Sequence, residues 1–91
     1  MIKYEDEYKI FIIENGVGKN DKIADSVKSY ISYLNSVCKH LNIIIEPNNL
    51  RTQHDITKIA LKLNGIVSNK TIKNYESAMK QYINMIGELK L

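Results

Sequence analysis

Ninety-one residues, 44% of them hydrophobic and 25% charged, make one domain with a single modest core and exclude a disordered chain. The net charge of +3 is unevenly placed: residues 1–46 hold six Lys and seven acids, a balance of −1. Residues 47–91 hold seven Lys or Arg and three acids, a balance of +4. This asymmetry points to a polyanion met mainly by the second half, although a merely solvated lysine surface has the same composition. No apolar run reaches the roughly 20 residues of a membrane span, so no membrane partner is expected. The acidic start, Met1-Ile2-Lys3-Tyr4-Glu5-Asp6-Glu7, has no signal-peptide layout. A lone cysteine allows no internal disulfide and fits a reducing, cytoplasmic location. The glycosylation pattern at Asn69-Lys70-Thr71 then carries no weight.

The first helix is expected over about residues 3–14, with Tyr4, Tyr8, Phe11 and Ile12 on one face and Asn15-Gly16 as its stop. Tyr8 to Ile13 also reads as a strand entering an Asn-Gly turn. Gly16-Val17-Gly18-Lys19 lacks the third glycine of a phosphate loop and is read as a connector. The second helix, about 21–41, carries the stripe Val27, Tyr30, Ile31, Leu34, Val37, Cys38 and Leu41. Cys38 on that stripe is a small buried hydrophobe rather than a nucleophile. Leu41 to Asn49 holds three isoleucines and then Pro47, which disfavours helix at Glu46. With no partner strand in view, this segment is read as a connector whose isoleucines plug the core. Whether residues 43–46 are extended or helical stays open.

The third helix, about 53–64, has Thr52 as N-cap and Asp55 facing the positive end of its dipole. Ile56, Ile59, Ala60 and Leu63 point inward, Lys58 and Lys62 outward, and Gly65 supplies a left-handed stop. Either Ser68 or Asn69 can cap the fourth helix, about 69–87, whose pattern is the most regular in the chain. Ile72, Tyr75, Met79, Tyr82, Ile83 and Ile86 fall within about 100° of arc, a core-facing stripe. Lys70, Lys73, Ser77, Lys80 and Asn84 fall on the opposite side. The fold class is therefore all-α, four helices in a single domain over residues 1–91.

Catalytic chemistry is not suggested. His40 and His54 have no Cys or His at metal-ligand spacing, and the adjacent carboxylates Glu5-Asp6-Glu7 do not converge on one point. No catalytic residue, metal or cofactor is assigned, and the chain alone is not expected to be an enzyme.

The order of segments resembles the core-binding, SAM-like domain at the N-terminal side of tyrosine recombinases and phage integrases. The matching pieces are Tyr8 to Gly16, Ser26-Val27-Lys28-Ser29-Tyr30-Ile31-Ser32-Tyr33-Leu34 and Asp55-Ile56-Thr57-Lys58-Ile59. They continue with Ser68-Asn69-Lys70-Thr71-Ile72 and Ser77-Ala78, with an aromatic four residues on at Tyr82. That family clamps duplex DNA with its second and fourth helices. The resemblance implies DNA contacts from Lys28, Ser29 and Ser32, and from Lys70, Thr71, Lys73, Asn74, Ser77 and Lys80. Four of the last six already lie on the polar face given by periodicity alone. The catalytic domain of the family, with its arginines, histidine and nucleophilic tyrosine, has no counterpart here. Similar helical domains stand at the front of restriction endonucleases, so a separate catalytic domain of either kind is an implied partner.

Two functions follow as expectations. One is a DNA-binding module in which lysines neutralise phosphates and small polar side chains add hydrogen bonds. The other is a protein-interaction domain, such as a small phage or mobile-element inhibitor. It would act through an apolar patch if the core cannot absorb Met79, Met85, Ile83 and Ile43-Ile44-Ile45. A contiguous lysine face favours the first; an exposed apolar patch with dispersed lysines favours the second.

Overall fold

The structure is a computed structural model that describes residues 1–15 and 23–91, with side chains given outside residues 23–26. Its elements are α1 (Glu5–Asn15), α2 (Ile23–Leu41), α3 (Gln53–Leu63) and α4 (Asn69–Leu89). The four helices read from the sequence are present, and the expected strand alternative for Tyr8 to Ile13 is not. The Gly16–Lys19 connector, the glycine stop of the first helix and the start of the second at Asp21 lie outside the described residues. No helix among the described residues is long and apolar enough to cross a membrane.

α2 and α4 form the centre, each packing against all three other helices, whereas α1 and α3 do not pack on each other. The core between them holds Tyr8 and Ile12 of α1, Leu34 and Val37 of α2, Ile56 and Leu63 of α3, and Ala78, Met79, Tyr82, Met85 and Ile86 of α4. Because three helices surround α4, its buried arc is wider than the six-residue stripe suggested: Ala78 and Met85 are fully buried, and Ile83 is only half-buried. The core absorbs Met79 and Met85 entirely.

The first helix starts two residues later than expected. Ile2 pairs in parallel with Ile45 instead, through Lys3 N–H to the Ile45 carbonyl (2.8 Å) and Ile45 N–H to the Met1 carbonyl (3.0 Å). Tyr4, at φ 64°, turns the chain from this short extended piece into α1. Residues 43–46 are thus not helical, and Ile45 finds its missing partner in the N-terminal segment. Ile45 is fully buried as a plug, Ile43 is half-buried, and Ile44 is 46% exposed, the alternation expected of an extended chain at a surface. Asn42 in the left-handed conformation ends α2, and the Ile43 N–H closes back on the Cys38 carbonyl. Cys38 is buried, and its thiol donates to the Met1 carbonyl at 3.3 Å.

α3 opens on a reciprocal cap. The Thr52 hydroxyl accepts the Asp55 N–H, while the Asp55 carboxylate accepts the N–H groups of Thr52 and Arg51 at 3.1 and 2.9 Å. The Arg51 N–H, foremost, and Thr52 hold the Asp55 carboxyl below the usual carboxylate range. A depressed folded value stabilises above the unfolded one, so this contribution is complete above about pH 4 and fades as pH falls through the lowered value. Thr52→Ala and Asp55→Ala are each expected to cost about 1 kcal/mol at neutral pH. Urea titrations should show the Asp55→Ala penalty shrinking towards about pH 2. Leu63 ends α3 one residue earlier than expected, and Gly65 at φ 89° turns the chain towards α4. α4 continues past Gly87 to Leu89, and Lys90 in the left-handed conformation closes it.

Candidate nucleic-acid interface

Ser68 is the N-cap of α4: its hydroxyl accepts the Thr71 N–H at 3.2 Å and lies 2.9 Å from the Thr71 hydroxyl. The cap fixes the rotation of the helix, and the core stripe then turns Lys70, Lys73, Asn74, Ser77, Lys80 and Asn84 outward, all exposed. Lys70, Lys73, Ser77, Lys80 and Asn84 succeed one another at intervals of three or four residues, a line along one helix face. From Lys70 to Lys80 the rise is about 15 Å, over which one strand of B-form duplex carries about four phosphates.

What distinguishes this line is the gathering of three lysines on one helix face, since most lysines among the described residues make no ion pair. The one ion pair among the described residues joins Lys9 to Glu5 at 3.4 Å on α1. Glu76 stands three residues after Lys73 and four before Lys80, spacing that permits pairing on a helix, yet it lies within 4.0 Å of neither. α4 has no acid in its first turn, so Lys70 and Lys73 add their charge to the positive end of the helix dipole. Like charges gathered there are a cost to the free domain, relieved by an anion.

The sequence-assigned residues do not all present themselves in the same way. Thr71 is half-buried, and its hydroxyl is committed to the Ser68 cap. Ser77 is exposed, but its hydroxyl donates to the Lys73 carbonyl at 3.1 Å and must give up that bond to donate to a phosphate. On α2, Lys28 and Ser32 are exposed one turn apart, and Ser29 is half-buried. Of α2, Tyr30 reaches the α4 line: with Ser77, Lys80, Gln81 and Asn84 it lines a shallow depression of about 200 Å³, whereas Lys28 and Ser32 are each two positions away, on nearly the opposite side of α2.

Sequence reasoning placed Tyr30 in the core stripe and missed this role. The available signal was the residue type, since a tyrosine keeps an apolar body inside and a polar tip in water. A row of rings, Tyr30 to Tyr33 (5.9 Å), Tyr33 to Tyr75 (5.8 Å) and Tyr75 to His40 (6.5 Å), fixes α2 against α4 beside the lysines. The aromatic seam therefore sets the spacing of the two candidate helices. No protein-family model, curated protein or solved structure matches the chain.

Proposed function

We propose that the domain is a non-catalytic module that binds duplex DNA through α4. The observation that carries this reading is the exposed line Lys70, Lys73 and Lys80, with no carboxylate within 4.0 Å among the described residues. Asn74 on the same exposed face adds an amide able to donate to a phosphate oxygen. The order of the four helices agrees with a core-binding role at the front of a recombinase or endonuclease whose catalysis is supplied by a separate domain. A reduced, buried Cys38 suits such a protein in the cytoplasm.

Selectivity for base sequence is expected to be modest. Arg51 is the single arginine, and its guanidinium donates to the Leu91 carbonyl at 3.1 Å, so the usual bidentate reader of guanine is engaged elsewhere. Anisotropy of a labelled duplex of about 30 base pairs should give a log–log salt slope of roughly −4 to −5, from four to six phosphate contacts. Affinity then falls a few hundred-fold between 50 and 200 mM salt. An unlabelled duplex of unrelated sequence should compete within about tenfold. Absence of binding at the lower salt rejects the proposal.

A further inference from the structure

α1 is apolar on two sides. Tyr8, Phe11 and Ile12 enter the core, while Ile10 and Ile13 are each 55% exposed on the outside. At the far end of α4, Leu89 is 48% exposed. Ile10, Phe11 and Leu89 line a groove of about 220 Å³ between the two helices, and the remaining lining residues are Glu7, Glu14 and Glu88. Glu7, Ile10, Phe11 and Glu14 recur at three-and-four spacing, so one stripe of α1 supplies an apolar floor with a carboxylate at either end. None of the three carboxylates lies within 4.0 Å of a cation among the described residues; Lys9 is held by Glu5, and Lys90 stands exposed beside Leu89.

We infer that this groove docks a basic amphipathic helix of a partner protein. An apolar face at three-and-four spacing would lie on Ile10, Phe11 and Leu89 and extend over Ile13, exposed outside the groove, with its flanking lysines and arginines meeting Glu7, Glu14 and Glu88. Charge complementarity selects that occupant. A second copy of this chain, related by a two-fold axis, would set the same three carboxylates against each other and leave them uncompensated. The groove is also smaller than the roughly 300–1,000 Å³ typical of small-molecule sites. It is independent of the proposed DNA face, since Glu88 lies about 12 Å beyond Lys80 along the α4 axis.

The test is titration of the full chain into a labelled helical peptide of about 18 residues, with leucine at three-and-four spacing and lysine or arginine between. Saturable binding is expected. It should weaken at least about tenfold in the double variant Ile10→Ser, Ile13→Ser. It should weaken as much in the triple variant Glu7→Lys, Glu14→Lys, Glu88→Lys, which should instead take up a leucine–glutamate peptide of the same spacing. DNA affinity of the Ile10→Ser, Ile13→Ser protein should match the wild type. No binding of the basic peptide at millimolar protein, or equal affinity for basic and acidic peptides, overturns the proposal. A dimer seen by sedimentation and abolished by Ile10→Ser overturns it too, by assigning the groove to a second copy. Should the serine variant fail to fold, the charge-reversed variant and its switched peptide preference decide alone.

Discussion

Tyr82→Ala is expected to leave the domain largely unfolded at 37 °C. Tyr82 is fully buried on α4, and its ring packs on that of Tyr8 with centroids 5.7 Å apart. Its hydroxyl donates to the Lys3 carbonyl at 2.6 Å and lies 3.5 Å from the Ile45 carbonyl. The Tyr8 hydroxyl donates to the Ala78 carbonyl at 2.8 Å, so the ring pair ties α1, α4 and the extended Ile2–Ile45 pairing into one knot. Removing a buried aromatic of this size costs about 3–5 kcal/mol. A domain of this length has a total stability of about 5–10 kcal/mol, so the loss is a large share of it. The melting temperature should fall by about 20 °C, and a fall of less than about 5 °C would count against this account.

Tyr82→Phe separates the ring from its hydroxyl. It should cost only about 1–1.5 kcal/mol, and hydrogen exchange should show the Lys3 and Ile45 amides losing protection first. The same pair governs alkaline stability. Burial pushes both the Tyr8 and Tyr82 hydroxyls well above the ordinary tyrosine range, with smaller contributions from Tyr30 on Tyr8 and from Tyr4 on Tyr82. Groups whose folded values are raised keep their full stabilisation below the unfolded value and lose it above. Stability should therefore decline as pH rises beyond about 10, and less steeply in Tyr82→Phe.

What could be read in advance divides along the distance over which the signal acts. Helix positions follow from local periodicity, and the α3 cap follows from Thr52 and Asp55 at their spacing, so both are legible. The pairing of Ile2 with Ile45 joins residues 43 positions apart, each paired singly, and no local pattern announces it. Leu50, also fully buried, sits in an irregular connector where the Asn49 side chain bonds the Ile44 carbonyl and the Glu46 N–H. No period exists there to mark Leu50 as core. In the candidate site, periodicity turns the lysines outward, but whether Glu76 pairs with Lys73 or Lys80 depends on rotamers that the sequence does not encode. The outer side of α1 is a different case: periodicity assigns Tyr8, Phe11 and Ile12 to the core and leaves Ile10 and Ile13 outside, but the groove there also needs Leu89 of α4, a contact between distant segments that no local pattern announces.

The triple variant Lys70→Glu, Lys73→Glu, Lys80→Glu is expected to abolish duplex binding while keeping the fold. All three side chains are exposed, so unfolding is not the route by which binding is lost. Glutamate is as good a helix former as lysine, and the new carboxylates at positions 70 and 73 would face the positive end of the α4 dipole, where acids are favoured. The variant should melt at or slightly above the wild-type temperature. Its net charge moves from +3 to −3, because each exchange changes the balance by two. Losing three phosphate contacts flattens the log–log salt slope by about 2.7, and three new like charges facing phosphates remove the remaining affinity at low salt. Net charge alone is separated from position by Lys58→Glu, Lys62→Glu with Lys90→Glu, which reaches the same −3 from residues outside the α4 line. If that control loses binding as completely as the α4 variant, attraction is a property of total charge and the interface is not on α4. If it keeps most of its affinity, the ordered line of lysines that the Ser68 cap and the core stripe turn outward is the surface that meets DNA.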